Sequence, residues 1–493
     1  MKKNNTQKAD ELESATDIEK AEKKEFREFE EKPGDSDGEN RHPTERKSVV
    51  TTGLFITKTM IGSGLLNVPM IFKTYGIFIG VTLSIFFNMV TVLATYFLLR
   101  CKDVTQRYSY AIYSKLTFGL LGTAITKLAM TIKSFTLCCV LIKIFGNIIR
   151  TLLLIILENY KDSYFLQPDV LSVFFAILIF PTMLQKDISG ISKFTFLGIY
   201  SILFLFFSLT ILLIFKYYNG EIQPFQFEMF KPNGTFPQKF KCFGSFLNAY
   251  VFQISVFPIY LPLHPRNTKN MLKSTVFGTL ISSCIYSSFG IIGFIIYRYN
   301  INDTLLKYLG DDLIKYLSTN TWMGILLIIF EIAFIINTTI STMLNFFIGK
   351  SGLIGFIKFV IENFINAENK DANKKDTPLV DMNEKGIALK PEKEKEEPKE
   401  DILSELTKNI VTSVSYVIVV LIAYASKSII AIDNFNGSTV NNYLSLMLPA
   451  LFLILLNKDK GLTFENFLAG LLFIFSITLI ILYVLINFTN IFG

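Results

Sequence analysis

Eleven apolar runs, most of them about 20 residues long and so able to cross a bilayer, divide this chain. They are Val49 to Phe72, Ile77 to Leu99, Leu120 to Leu157, Val170 to Leu184, Phe194 to Phe215, Phe243 to Leu263, Leu272 to Tyr297, Trp322 to Ile348, Ile410 to Ile432, Tyr443 to Leu456 and Phe464 to Phe488. In hydrocarbon every backbone N–H and C=O must find its partner within the protein, which leaves helices for runs of this length. The expected fold class is an all-α polytopic membrane protein. Composition agrees: 51% of the 493 residues are hydrophobic and 48 are Phe, too apolar for a soluble domain of this size. The third run is nearly twice the usual length, and its polar residues are isolated. One tilted, protruding helix is expected there rather than two short ones.

Two stretches depart from this pattern. Residues 1–48 are crowded with Lys, Glu and Asp, hold no signal-peptide core, and read as a disordered cytoplasmic tail. Residues 350–404, ending in KPEKEKEEPKE, read as a charged cytoplasmic linker. The expected organisation is therefore tail (1–48), helices 1–8 (49–349), linker (350–404) and helices 9–11 (405–493). The net charge is +7, but the tail mixes both signs, which argues for a solvated end and against a nucleic-acid arm. No protein partner is indicated.

Charge also orients the chain. With the N-terminus cytoplasmic, the inner loops carry Arg100, Lys102, Arg107, Lys115, Lys186, Lys193, Arg266, Lys269, Lys273, Lys458 and Lys460. The outer loops balance their cations with Glu158, Asp162, Glu221, Glu228, Asp303, Asp311, Asp312 and Asp433. This asymmetry follows the positive-inside rule. The same orientation puts three glycosylation sequons outside, at Asn233, Asn302 and Asn436.

Five scattered cysteines and two histidines give no zinc spacing, no redox pair and no catalytic triad within a span. A Walker loop and a dinucleotide fingerprint are missing as well. An ATP-driven pump and a histidine-dependent membrane enzyme are disfavoured, and no cofactor or metal is expected.

The first run is interrupted. Thr51 to Gly76 carries Gly62-Ser63-Gly64 in its middle and Pro69 beyond. Each glycine costs a helix about 1 kcal/mol relative to alanine, and proline removes a hydrogen bond. In a bilayer such a break is tolerated only where the freed backbone is buried in protein or lines a wet cavity. The half-helix N-terminus offers N–H groups to an anion and the unwound carbonyls face a cation, an arrangement that suits an α-carboxylate and an α-ammonium. The alternative is a small-residue surface packed closely on a neighbouring helix. The sixth run repeats the feature: Pro258 and Pro262 accompany Asn248, Gln253 and Ser255. An ordinary proline kink is the alternative there. Interruptions five spans apart are the relation expected of inverted five-helix repeats.

These residues resemble the amino acid/auxin permease family of the amino acid, polyamine and organocation superfamily. The signature Gly-x-Gly-(Ile/Leu)-Leu-x-x-Pro followed by glycine is matched by Gly62 to Pro69 with Gly76. Phe257-Pro258-Ile259-Tyr260 ahead of Arg266, Lys269 and Lys273 is similar to the family's sixth span. Gly437-Ser438-Thr439 and Leu448-Pro449 resemble its late motifs. The likeness covers roughly 49–349 and 405–493. It implies eleven transmembrane helices in a LeuT-like 5+5 inverted repeat with broken helices 1 and 6, carrying amino acids by alternating access. It further implies that the backbone of Thr59, Met60, Ile61, Gly62, Ser63 and Gly64 holds the substrate's carboxylate and ammonium, faced by Tyr250, Phe252, Gln253 and Ser255. Tyr250 and Phe252 read equally as packing aromatics.

Sodium-coupled members of that family tend to have Asn four residues before the first glycine of the signature, where this chain has Lys58. An ammonium occupies a cation's place, so proton coupling or facilitated transport is expected instead. Glu331 lies about ten residues into the eighth run, roughly 15 Å deep. A pair between Lys58 and Glu331, with protonation of Glu331 coupled to transport, is the expectation; a purely structural ion pair is the alternative. Lys127 and Lys427 are placed near span ends, where they snorkel, and Lys133 and Lys143 deeper. Two functions from different classes follow: an amino acid transporter, or an amino-acid-sensing receptor on a transporter fold. The plasma membrane and an acidic vacuole or lysosome both fit.

Overall fold

The computed structural model describes residues 47–160, 162–184, 195–222, 227–301, 304–361, 404–426, 428–458, 461 and 463–492. The tail to residue 46, most of the charged linker, and Lys186, Lys193, Asn302, Asp303, Lys427 and Lys460 lie outside the described residues. Among those described, every named element is a helix, and nine helical stretches are long and apolar enough to cross a bilayer. The first half-helix is α1, Val49–Met60; after a short 3-10 turn over Ser63–Asn67 comes α2, Val68–Thr105. Next are α3 (Tyr110–Ile156), α4 (Pro168–Met183), α5 (Thr195–Tyr218), α6 (Phe236–Ala249) and α7 (Val256–Tyr260). These are followed by α8 (Thr268–Tyr297), α9 (Leu305–Thr319), α10 (Thr321–Val360), α11 (Glu405–Ala425), α12 (Ile429–Phe435), α13 (Leu448–Leu456) and α14 (Phe464–Phe492).

Local chemistry sets the element ends. Ser48 Oγ accepts from Thr51 N at 3.2 Å to open α1, and Asn267 Oδ1 accepts from Asn270 N at 2.6 Å to open α8. Gly76 (φ 78°, ψ 163°) separates the half-helix 68–75 from the crossing helix that follows. A Cβ there would run into the backbone carbonyls of Phe230 and Lys231, so both conformation and space require glycine. Gly119 (φ 68°) does the same between 110–118 and the long third span. Residues 120–156 then form one uninterrupted helix.

Two expectations about segment boundaries are corrected. The ninth run was drawn to Ile432 and the tenth from Tyr443, yet α11 ends at Ala425 and helix resumes at Ile429 and continues to Leu456. The polar run from Asp433 to Asn442 looks like a loop because its side chains are hydrophilic. Their bonds point into the protein, and two π-turns, Asn436–Val440 and Tyr443–Met447, carry the helix through. Asp433 and Asn436 are accordingly interior residues, exposed by 0% and 1%, and not parts of an outer loop. At the other end, α10 runs through Lys350 to Val360 before the charged linker.

The helices pack in two groups. α8 lies along α1 and α2, with α6 against α2; α3 lies along α10 and α4, with α11 against both. The composite helix α12–α13 stands between the groups, touching α6 and α3 through α12 and α2 through α13. Lys143 Nζ bonds Asp169 at 2.7 Å and Ala423 O at 3.0 Å, which ties α3, α4 and α11 together. Toward the same end of α3, where Gly310 of α9 lies against Thr151, Lys216 pairs with Asp312 at 2.7 Å, and Tyr297 Oη donates to the same carboxylate at 2.6 Å.

Candidate functional site

Both predicted breaks are present. α1 stops at Met60, Ile61 is extended (φ −78°, ψ 97°), and Gly62 is non-helical (φ −127°, ψ −143°) before the 3-10 turn begins. α6 stops at Ala249; Phe252 (φ −139°, ψ 4°) precedes a second 3-10 turn, Gln253–Ser255, and then α7. The interruptions meet. Gly64 faces Ala249 so closely that a Cβ on it would lie 2.9 Å from the alanine Cβ.

One hydroxyl reaches both. Tyr286 Oη, from α8, donates to Met60 O at 2.7 Å and Ala249 O at 3.0 Å. These are the last helical residues before each gap, so the tyrosine takes up carbonyls that the breaks leave without helical partners. Nothing in the sequence singled out Tyr286, because a tyrosine within an apolar span carries no pattern of its own.

Gly62 is exposed, and apart from Gly62 itself and its chain neighbours no heavy atom of the described residues lies within 4 Å of where its Cβ would stand, so the first gap opens onto space. The opening N–H groups of the turn after it have no helical acceptors. Ile61 and Met60 are buried, whereas Thr59 is exposed with its hydroxyl on Phe55 O at 2.8 Å.

The residues expected opposite are mostly engaged in holding the second break. The Tyr250 hydroxyl is bonded to Ser84 Oγ, its carbonyl accepts from Thr91 Oγ1 at 2.9 Å, and its ring packs on Tyr286 with centroids 5.2 Å apart. Gln253 Oε1 accepts from Phe252 N at 2.9 Å, and its Nε2 donates to Thr91 O at 3.4 Å. Phe252 is buried and Ser255 half-buried.

The expected ion pair is not formed. No salt bridge joins Lys58 to Glu331: α1 packs along α8, whereas α10 lies chiefly along α3. Lys58 is half-buried. Glu331 is 1% exposed, and its Oε2 has no hydrogen-bond partner. A second interior carboxylate, one the sequence had placed in a loop, sits beside the breaks. Asp433 accepts from Asn67 Nδ2 at 2.5 Å and from Asn248 Nδ2 at 3.1 Å. Among the described residues no group of three or more His, Cys, Asp or Glu side chains is arranged to hold a metal ion.

A bundle built on two broken helices that meet is the LeuT-like architecture, and the chain shares its fold with two solved transporters. One is MHP1, a nucleobase-cation-symport-1 family transporter with bromovinylhydantoin bound (TM-score 0.53, 10% identity, 90% of this chain and 92% of that one). The other is MhsT in complex with L-phenylalanine (TM-score 0.50, 12% identity, 87% and 98%). Residues 45–489 match the family described as transmembrane amino acid transporter protein, and the chain belongs to that family. A curated relative, sodium-coupled neutral amino acid transporter 7 of Xenopus laevis, is 20% identical over 267 residues, 52% of this chain and 58% of that protein. The chain thus spans under two thirds of that relative's length.

Proposed function

We propose that this protein is a secondary transporter that carries amino acids across a membrane by alternating access, with its N-terminus cytoplasmic. Its eleven spans are organised as two inverted repeats of five, followed by α14. The observation that carries the reading is the meeting of two interrupted helices at Gly64 and Ala249, fastened by Tyr286, beside the open gap at Gly62. In this reading the backbone from Thr59 to Gly64 takes the substrate's carboxylate and ammonium, and Phe252 and Ser255 shape the far wall. Tyr250 and Gln253 act by fixing the second gap.

The coupling ion is a proton. The relative's name says sodium, but here the half-buried Lys58 stands in the place of a neutral oxygen ligand, where its ammonium competes with a cation. The proton then falls to an interior carboxylate, Glu331 or Asp433. Net uptake of twenty labelled amino acids, each offered to pH-clamped proteoliposomes, tests the proposal. Accumulation driven by an inside-alkaline gradient without sodium is expected, and binding without flux would make the protein a receptor instead.

A further inference from the structure

We propose that Asp433 is the group that takes up the transported proton, and that Asn67 reports its charge to the gap in the first span. The inference rests on the transport reading above and adds a residue to it. Asp433 is fully buried one turn into α12. Its carboxylate is held by neutral amides alone: Asn67 Nδ2 on one oxygen at 2.5 Å and Asn248 Nδ2 on the other at 3.1 Å. Asn67 Nδ2 also reaches Ser245 Oγ at 3.4 Å, and Asn248 Oδ1 accepts in turn from Asn441 Nδ2.

Titratable groups on the surrounding elements are engaged elsewhere or make no bond to it. Cys242 on α6 bonds Thr74, with Lys239 and Lys241 farther along that helix; Tyr250, just beyond its end, bonds Ser84. On α3, Lys143 bonds Asp169 and Ala423 O, Cys138 and Cys139 donate to the carbonyls of Thr342 and Val419, and Arg150 acts on Asp311. Lys73 bonds Ile301 O, Tyr286 bonds Met60 O and Ala249 O, and Tyr483 of α14 packs on Phe435. Among the described residues no cation therefore pairs with Asp433, and an uncompensated charge is costly in a bilayer interior.

A second observation shows what receives the proton's bond. Asn67 is 1% exposed, and its Oδ1 has no hydrogen-bond donor at all. With Asp433 ionised, Asn67 presents Nδ2; with Asp433 protonated, a half-turn of the amide presents Oδ1 to accept the new O–H. Each charge state is met by one orientation. Asn67 closes the 3-10 turn that begins beside Gly62, and Asn248 precedes the last residue of α6. Both ends of the substrate gap thus touch the carboxyl group.

The full chain in proteoliposomes, supplied with an equimolar mixture of the twenty labelled L-amino acids, tests this by two readouts: uptake driven by an inside-alkaline gradient, and counterflow at equal pH. Asp433→Asn imitates the protonated acid, so gradient-driven uptake should fall at least tenfold while counterflow persists. Asn67→Ala should move the pH of half-maximal uptake, whereas a purely structural contact would lower the rate equally at every pH. Should Asp433→Asn fail to fold, the Asn67 variant decides. Driven uptake by Asp433→Asn within twofold of wild type overturns the proposal, as does loss of counterflow in a folded Asp433→Asn protein. A sodium-driven uptake abolished by the same substitution also overturns it, by making the carboxylate a cation ligand. Absence of any counterflow by the wild-type protein would instead defeat the transport reading.

Discussion

Tyr286 joins the ends of α1 and α6 through one oxygen, and its removal is the sharpest change available at a single position. Tyr286→Phe keeps the ring against Tyr250 but leaves Met60 O and Ala249 O without that donor. Stranded buried acceptors cost about 1–3 kcal/mol, so the variant is expected to melt earlier and to transport at least tenfold more slowly. Wild-type uptake by a stable Tyr286→Phe protein would deny the hydroxyl its role. The contrast with Gly62 and Gly64 shows what single residues disclose in sequence. A Gly-x-Gly ahead of proline in an apolar run is a conflict between local propensity and a bilayer's demands, and the conflict itself marks the break. Tyr286 and Asn67 conflict with nothing locally; their importance lies in partners 226 and 366 positions away, Met60 and Asp433.

Elements were legible where they were uniformly apolar and illegible where polar side chains turned inward. The long third span was readable, since only isolated polar residues punctuate it. The Asp433 to Asn442 stretch was misread because hydropathy counts a polar side chain as wet wherever it points. Outside the spans, Glu221 links the end of α5 to α9: its carboxylate accepts from Lys315 Nζ at 2.8 Å and Tyr316 Oη at 2.7 Å. Partial burial raises its pKa, but the hydrogen bonds from Lys315 and Tyr316 and the lysine charge outweigh that, and the group sits below the usual carboxylate value. A depressed pKa gives stability that is present at neutral pH and is lost as pH falls through the folded value. Glu221→Gln should therefore lower the melting temperature by only about 1–3 °C at pH 7, as befits an exposed pair, and by nothing once wild-type Glu221 is protonated. A melting difference that persists undiminished into acid would contradict this linkage.

At the scale of the whole molecule, the two helix groups and the composite helix between them frame the gap, and the proposed alternating access requires its two sides to open in turn. Orientation is testable through the sequons. Asn233 lies on an exposed loop, whereas Asn436 is buried in the span beside Asp433. In a glycosylating host, with Asn302→Gln as background, Asn233→Gln should abolish a glycan-dependent mobility shift that Asn436→Gln leaves intact; a shift that depends on Asn436 would contradict the placement of α12. The most direct test of the account places a thiol at the gap itself. Gly62→Cys, made with the exposed Cys284 changed to Ser and the other cysteines buried, is expected to react with a maleimide, and the transported amino acid is expected to slow that reaction several-fold. Labelling unchanged by any of the twenty amino acids, in a protein that still transports, would put the substrate elsewhere and refute the site.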